Sequence, residues 1–323
     1  MTCAHGVEME VTCRCSSHEL CANVQSSLWT VLWFNGKMHR LSYNEPLVRD
    51  LSLLSSKDAP DFAMAIDGMK VKPGMEVASV TDVGHQRENN EDSFLYWEPE
   101  SDEEVERKGR LAVIADGMGG YEGGHEASRL AVETVVEVYR AGFGSDPRAT
   151  LVEAFAEAHK RIQEYAEDHP AFQGMGTTCT ALAVVARQLY FAHVGDSRLY
   201  LVRAGEISRL TRDHTYVGRL VESGIVRAED AETHPQRHIL TAALGSGSEV
   251  AVDFPQQALV VEQGDTFILC TDGLWGLVTD AEILKAVNGE AVAAACQSLV
   301  ATALQRGGPD NITVQLLRVG QPN

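Results

Sequence analysis

The chain has 323 residues, of which 44% are hydrophobic and 23% charged, and its formal net charge is -19. This length allows one large domain, or one large and one small domain, of an ordinary soluble globular protein, and the negative charge argues against binding to nucleic acid or to an anionic membrane. The longest early apolar run, residues 27–34, is too short to span a bilayer and follows no basic region, so we expect neither a signal peptide nor a transmembrane helix and predict a cytoplasmic protein.

Residues 1–74 contain little regular patterning, and their clearest signal is a hairpin. Strands are expected at 29–34 and 38–43, because the Asn-Gly pair between them favours a two-residue hairpin turn. Residues 54–74 are typical of a linker, so we place a domain boundary near residue 75. Two interpretations of the preceding segment stay open: translation starts at Met75, or residues 1–74 form a small regulatory or metal-binding appendage.

Four of the seven cysteines lie near the start of the chain: Cys3, Cys13, Cys15 and Cys21. Together with His5 and His18 they provide enough soft ligands for zinc, but their spacing differs from that of paired Cys-x-x-Cys sites. A zinc site, a redox-sensitive cluster and an unstructured segment are the alternatives for this region.

From residue 75 onward, the sequence predicts short strands and long helices. The strands are rich in β-branched or aromatic residues, and they are expected at 76–81, 93–97, 111–115, 178–186, 189–194, 199–203, 266–271 and 312–317. Apolar side chains at three- and four-residue spacing predict helices around 127–138, 151–165 and 292–303. Pairs of strands followed by pairs of helices favour an α+β sandwich over a doubly wound sheet.

Three of the predicted strands run directly into an aspartate beside a glycine. LAVIADG, YFAHVGD and TFILCTDG contain Asp116, Asp196 and Asp272, and Asp310 in GGPDN precedes the last predicted strand. A buried strand fixes the position of an aspartate at its end, and the glycine allows a tight turn that brings a carbonyl towards a metal. Each motif alone is also typical of an ordinary turn. Four carboxylates at one rim would repel one another without cations, and oxygen ligands favour magnesium or manganese over zinc.

An arginine lies shortly before a cluster of polar residues in DVGHQRENNED. Arg87 is followed by Asn90, Glu91 and Asp92, immediately ahead of a predicted strand. The planar guanidinium group matches two oxygens of a phosphate, which makes Arg87 a candidate phosphate ligand. A surface salt bridge is the alternative interpretation.

The ordered motifs R-x-x-NED, ADGMGG, GTT, GDSR, LTRDHT, CTDG and PDN resemble those of the metal-dependent protein phosphatase family (protein phosphatase type 2C, PPM) in its compact bacterial form. The resemblance covers about residues 76–318. It implies a four-layer α-β-β-α sandwich in which helices flank two antiparallel sheets, with metals bound at one end between the sheets. We therefore expect a catalytic domain at 75–323 and an N-terminal extension of unknown role at 1–74.

The resemblance also assigns ligands to the two core ions, Mn²⁺ or Mg²⁺. Asp116 resembles the residue that bridges both ions, and the Gly117 carbonyl resembles a further ligand of one of them. Asp272 and Asp310 match ligands of the other core ion.

Four further positions match residues around the core ions. Glu91 is similar to the acidic residue that holds metal-bound water, and Asp92 to its hydrogen-bonding neighbour. Asp196 resembles a ligand of a third, weaker ion, which it would share with Asp272. Arg87 matches the phosphate-binding arginine, whereas Asn311 is expected to support the loop beside Asp310.

These roles imply an enzyme that hydrolyses phosphoserine and phosphothreonine in proteins. Water activated at a binuclear centre would attack phosphorus in a single displacement while Arg87 holds the phosphate oxygens. The implied partners are phosphorylated proteins and a cognate Ser/Thr kinase, and the implied state is a monomer. One alternative is a catalytically silent phosphoprotein-binding scaffold, which would be expected to lack some of the metal aspartates. The acidic composition disfavours a phosphodiesterase or nuclease.

The sequence departs from many eukaryotic family members at Met118, where they have a histidine thought to protonate the leaving alkoxide. A metal-bound water would have to supply this proton here. His214 and His85 are candidates only by residue type, and we expect neither to be essential.

Residues 212–245 contain helical patterning and correspond in the family to a flap beside the metal site. Cys179 and Cys270 fall inside predicted strands, so we interpret them as core residues rather than as nucleophiles.

Overall fold

A computed structural model of the chain describes the residues 29–34, 37–42, 71–119, 123–142, 146–231 and 233–320. The chain divides into two units, Met1–Pro60 and Asp61–Asn323. In the first unit, β1 (Trp29–Phe34) pairs with antiparallel β2 (Lys37–Ser42), which confirms the strands of the predicted hairpin. The predicted Asn-Gly turn, the N-terminal cysteine cluster and most of the predicted linker lie outside the described residues.

The second unit contains two sheets and their flanking helices. Its strands are β3 (Met75–Asp82), β4 (Asp92–Trp97), β5 (Arg110–Met118), β6 (Gly176–Thr177), β7 (Cys179–Val185), β8 (Gln188–Val194), β9 (Arg198–Arg203), β10 (Glu206–Arg209), β11 (Leu259–Val260), β12 (Thr266–Cys270) and β13 (Ile312–Val319). Its helices are α1 (Asp102–Lys108), α2 (Gly123–Ala141), α3 (Pro147–Asp168), α4 (Tyr216–Glu222), α5 (Ala228–Ala231), α6 (Asp272–Trp275), α7 (Asp280–Gly289) and α8 (Val292–Gln305).

Both sheets are antiparallel throughout. The first has the strand order β10-β9-β12-β13-β3, and the second has the order β11-β8-β7-β5-β4, with β6 paired to β5. The side chains of β5 alternate between two buried environments: Leu111 and Val113 face one hydrophobic cluster, and Ala112 and Ile114 face another. A strand buried on both faces reads as a continuous apolar run, which is how LAVIA appears in the sequence.

Three hydrophobic clusters define four layers. The first cluster packs the helix pair α2 and α3 against the second sheet. Another cluster lies between the two sheets, and the last packs the helix pair α7 and α8 against the first sheet. Leu182 and Phe267, for example, are fully buried in the cluster between the sheets. This arrangement confirms the predicted α-β-β-α sandwich.

The long helices pack through the apolar faces that their sequences predict. In α3, Pro147 occupies the first turn and the Asp146 carboxylate accepts a hydrogen bond from the Arg148 N–H, as expected of an N-cap. Leu151 and Phe155, four residues apart on one face, are completely buried. Among the described residues, no helix is long and apolar enough to cross a membrane.

The eight predicted strands and three predicted helices are present, with two differences. The strand predicted to end at residue 115 continues through Asp116 to Met118, because β6 pairs with this extension. The strand predicted at 178–186 is β7, and the two-residue β6 that precedes it was not predicted. The sequence pattern missed α1, which has no buried residue and therefore no apolar stripe. The helical patterning predicted within 212–245 is confirmed by α4 and α5.

Candidate metal centre

Five aspartates come from both sheets to one end of the sandwich. In the second sheet, Asp92 at the start of β4 lies opposite Asp116 of β5. From the first sheet, Asp272 follows β12 and Asp310 precedes β13. Asp196 lies in the loop between β8 and β9, which connects the two sheets. The fold therefore brings the predicted acidic residues to a common edge.

Asp92 is the buried link between the sheets. Its Oδ2 atom accepts hydrogen bonds from the hydroxyls of Thr271, at 2.8 Å, and Thr313, at 2.6 Å, both in the other half of the sandwich. Its Oδ1 atom is buried without a hydrogen-bond partner among the described residues. Burial raises the pKa of Asp92 to about 7 despite the two hydroxyl donors. An orphaned buried carboxylate oxygen is the kind of atom that a cation or a cation-bound water satisfies.

Burial and mutual repulsion disfavour the charged forms of two further aspartates. Burial raises the pKa of Asp116 well above its usual range, and the nearby Asp92 and Asp272 raise it further. Burial and then Asp272 do the same to the pKa of Asp196. Because hard divalent cations relieve this repulsion and prefer oxygen ligands, the site fits Mg²⁺ or Mn²⁺.

The GTT motif fixes the main chain around Asp116. The Asp116 N–H donates to the Thr178 hydroxyl at 3.0 Å, and the Asp116 carbonyl accepts from the Thr178 N–H and the Thr177 hydroxyl, both at 2.9 Å. The Thr178 hydroxyl also lies 2.6 Å from the hydroxyl of Ser197 in the GDSR motif. The threonines of GTT and the serine of GDSR therefore carry no carboxylate themselves, and they hold the main chain of Asp116 in place.

Gly117 does not form the turn that the sequence predicted, because it lies within β5 opposite Thr177. Its glycine identity is required by close approach instead: a Cβ atom would lie 2.0 Å from the Gly124 carbonyl oxygen and 2.7 Å from the Glu91 carbonyl oxygen. The first turn of α2 and the loop before β4 thus pack directly against the main chain that is expected to offer a carbonyl ligand.

We expect Gly117→Ala to destabilise the protein by about 3 kcal/mol or more, at the upper end of the usual cost of overpacking. The clash is with backbone atoms, which cannot move aside as a side chain can. Gly289→Ala is the matched control, since its Cβ would have no atom within 4 Å. Urea unfolding measures both variants, and equal stability for the two would contradict the packing assigned to Gly117.

Asn311 holds the loop that carries Glu91. Its Oδ1 atom accepts from the Glu91 N–H at 2.8 Å, and its Nδ2 atom donates to the carbonyls of Val83 and Asn89, both at 2.9 Å. These bonds confirm the supporting role expected for Asn311. Burial raises the pKa of the Glu91 carboxyl, and the positive charge of Arg87 offsets part of this increase.

Arg87 lies at the rim of the cluster with its side chain 49% exposed. One guanidinium nitrogen donates to Asp310 Oδ2 at 2.8 Å, and the hydrogen bond to Asp310 is the main reason that the pKa of Arg87 is raised. The negative charges of Glu91 and Asp116 raise it further. The arginine is therefore drawn to the acidic cluster while keeping access to solvent.

A histidine that the sequence pattern did not single out contacts the cluster. His238, in the predicted flap, places Nδ1 3.4 Å from Asp272 Oδ2. His214 instead packs behind the edge, where its Nδ1 accepts from the Gly195 N–H at 3.3 Å and its Nε2 lies 3.3 Å from Asp253. His85 is exposed. His238 reaches Asp272 because of the path of the chain between them. The position of His238 in the sequence therefore does not indicate this contact.

The side chains are neighbours without forming a closed ligand shell. In the parts of the chain that the structure describes, no three His, Cys, Asp or Glu side chains converge into a ready-made metal-binding group. Two of the acidic residues contact nitrogen-bearing side chains instead. Asp310 forms an ion pair with Arg87, and Asp272 lies next to the ring of His238. Cys179 and Cys270 are fully buried, which raises their pKa and confirms them as core residues.

Comparison with known proteins agrees with this fold. A model of the protein phosphatase 2C family matches residues 84–310. Protein phosphatase PhpP of Streptococcus pneumoniae is 36% identical over 253 residues, which is 76% of this chain and 98% of the relative. The crystal structure of the Mycobacterium tuberculosis serine/threonine phosphatase PstP/Ppp is 35% identical with a TM-score of 0.68, covering 77% of this chain and 100% of that one.

A second solved structure carries metal ions. The catalytic domain of the serine/threonine protein phosphatase PstP, in complex with two manganese ions, is 34% identical with a TM-score of 0.65, and the match covers 77% of this chain and 99% of that chain. The family model spans more than half of the present chain, and the relatives match over nearly their whole length. The chain therefore belongs to the protein phosphatase 2C (PPM) family of metal-dependent serine/threonine protein phosphatases, in its bacterial form.

Proposed function

We propose that this chain hydrolyses phosphoserine and phosphothreonine in proteins, using two core Mn²⁺ or Mg²⁺ ions and a third, weaker ion at the edge of the two sheets. The observation that carries the proposal is that Asp92, Asp116 and Asp196 are buried near Asp272, so that burial and then the neighbouring carboxylates raise the pKa of all three. When bound, the core ions supply Lewis-acid activation of the attacking water and neutralise charge on the phosphoryl group.

The residues divide this work between them. Asp116, the Gly117 carbonyl, Asp272 and Asp310 would hold the core ions, and Asp196 would hold the third ion together with Asp272. Glu91 and Asp92 would orient water from the side of β4, since both are fixed there by hydrogen bonds to their main chains. Met118 has no proton to donate, so water is the proposed source of the proton for the leaving oxygen.

Arg87 would bind the phosphate group of the substrate. Its planar fork can hold two phosphate oxygens, and an incoming phosphate would compete with Asp310 for the guanidinium group. The exposed position of the arginine allows this exchange without unfolding any element.

Arg87→Ala is expected to raise KM for a phosphothreonine peptide by roughly 10- to 100-fold, the effect of losing about two charge-assisted hydrogen bonds at a partly exposed site. Arg87→Lys should recover only part of this loss, because an ammonium group lacks the planar fork. Arg161→Ala is the control, since Arg161 pairs with Glu137 and Glu157 on the helical layer. An unchanged KM in Arg87→Ala would remove Arg87 from the substrate site.

The reaction class is tested by comparing substrates with and without metal. The purified chain should hydrolyse p-nitrophenyl phosphate and a phosphothreonine peptide with Mn²⁺, and it should lose this activity in EDTA and regain it when Mn²⁺ is restored. A phosphodiester such as bis-p-nitrophenyl phosphate should be a poor substrate. Undiminished activity in EDTA would refute the proposed mechanism.

In the cell, the proposed substrates are proteins phosphorylated by a cognate Ser/Thr kinase in the cytoplasm. A monomer suffices for this role, because all the proposed ligands belong to one chain. The catalytic domain is proposed to occupy 75–323, starting with β3, and 1–74 to form a separate extension. The presence of every motif aspartate disfavours the scaffold alternative.

A further inference from the structure

A buried ion pair lies directly behind the proposed third-ion site. Arg198, which starts β9, is 5% exposed, and its Nε and Nη2 atoms donate to the two carboxylate oxygens of Asp213 at 3.1 Å and 2.7 Å. Its Nη1 donates to the hydroxyl of Tyr200 at 3.0 Å. The guanidinium carbon lies 3.6 Å from the centre of the Trp275 ring. The arginine is thereby fixed on three sides.

This cluster is connected to the main chain of the Asp196 loop. The indole N–H of Trp275 donates to the Asp196 carbonyl at 2.9 Å. Next to Asp213, the His214 N–H donates to the Gly195 carbonyl at 2.7 Å, and the His214 ring accepts from the Gly195 N–H. The residue before Asp196 and Asp196 itself are therefore held by groups that Arg198 keeps in place.

The loop has little freedom to compensate for a loss of these bonds. Gly195 has a φ of +107°, and a Cβ atom there would lie 2.5 Å from Thr178. The main chain is thus pressed against the residue that also fixes Asp116. A shift of the Asp196 carbonyl would move the carboxylate that the proposed function assigns to the third ion.

A second arginine–aspartate pair involves the same strand but has no proposed metal ligand beside it, so it serves as a control. Arg203, at the other end of β9, donates to both carboxylate oxygens of Asp265, which is 1% exposed. Its Nη2 atom also donates to the carbonyl of Val260 in β11. The two pairs have the same chemistry, and only the Arg198 pair reaches a proposed ligand.

We propose that Arg198, Asp213 and Trp275 are positioning residues that set the cation affinity of the Asp196 site by fixing its main chain. The inference rests on the proposed function, because it requires Asp196 to hold a cation. Each of the three residues acts through the loop at 195–197. Partners that orient metal ligands in this way typically contribute 10- to 100-fold to metal affinity.

The test compares Arg198→Lys and Trp275→Phe with Arg203→Lys. Trp275→Phe keeps an aromatic ring for Arg198 and removes only the donor to the Asp196 carbonyl, so it remains informative where Arg198→Lys fails to fold. For each variant, the melting temperature is measured without metal and over a Mn²⁺ titration, and the Mn²⁺ concentration that gives half-maximal hydrolysis of p-nitrophenyl phosphate is determined.

For Arg198→Lys and Trp275→Phe, we expect the half-maximal Mn²⁺ concentration to rise by about tenfold or more over the wild type. This increase should appear both in activity and in the Mn²⁺-dependent rise in melting temperature. Arg203→Lys should lower the metal-free melting temperature and leave the Mn²⁺ dependence unchanged. An unaltered Mn²⁺ dependence in Trp275→Phe, or an equal change in Arg203→Lys, would overturn the inference. A wild-type protein that responds to no metal would instead overturn the proposed function on which it rests.

Discussion

Asp272→Ala should lower kcat/KM for p-nitrophenyl phosphate at least about a thousandfold, comparable to the loss of a central electrostatic group in other enzymes. Asp272 lies where the two sheets meet and contributes to raising the pKa of Asp92, Asp116 and Asp196. Removing its carboxylate deletes a ligand that the proposed function gives to a core ion and to the third ion. Activity and manganese binding should therefore fall together.

The matched control for this variant is Asp280→Ala. Both aspartates are the first residue of a helix, Asp272 of α6 and Asp280 of α7, so each substitution removes a negative charge from a helix N-terminus. Asp280 is exposed, and we expect its replacement to leave kcat/KM within about twofold, as for most surface changes. If Asp272→Ala retained more than a tenth of the activity while binding manganese normally, the ligand role of Asp272 would be wrong.

Asp116→Asn should have two opposite effects. Hydrolysis should fall by roughly a thousandfold or more, because an amide cannot replace the charge of a bridging carboxylate. The metal-free protein should nevertheless become more stable, because burial and the adjacent Asp92 make the Asp116 charge unfavourable in the folded state. A gain of about 1 kcal/mol would raise the melting temperature by roughly 2–4 °C. Calorimetry in EDTA measures this change.

The pH dependence of the same variant gives an independent check. A carboxyl whose pKa is raised by folding binds its proton more tightly in the folded state, so its stabilising effect is complete below the unfolded pKa of about 4 and is lost as the pH rises through the folded pKa. Asp92, with a pKa of about 7, and Asp116 both act in this direction. Without metal, the advantage of Asp116→Asn over the wild type should therefore grow from pH 4 to pH 7. A constant difference would contradict the repulsion assigned to Asp116.

The sequence reveals the acidic site because its signals are local. Strands such as LAVIA carry their apolar run and their terminal aspartate in one short segment, and antiparallel order then brings several such ends together. The extension of β5 to Met118 was not predicted, because it depends on pairing with a strand far along the chain, in which Gly117 lies opposite Thr177 and Met118 opposite Gly176. A glycine after an aspartate indicates a turn unless the approaching backbone is known, and at Gly117 that backbone belongs to Gly124 and Glu91.

Other contacts of the site could not be read from local patterns. His238 reaches Asp272 only through the path of the flap, and nothing in its own segment distinguishes it from the other histidines. Arg198 and Asp213 lie in two of the sequence motifs, GDSR and LTRDHT. Their bidentate pairing and the contact of Arg198 with the Trp275 ring appear only in three dimensions. Short, polar elements such as α1 also escape, because they bury no residue.

The most direct test of the acidic cluster as a metal centre is the number of Mn²⁺ ions bound per chain, measured by equilibrium dialysis of the full-length wild type and of Asp116→Asn. We expect at least two ions for the wild type, since the proposed centre has two core ions, and fewer than one for Asp116→Asn, whose bridging carboxylate is gone. Equal binding by the two proteins would contradict this expectation.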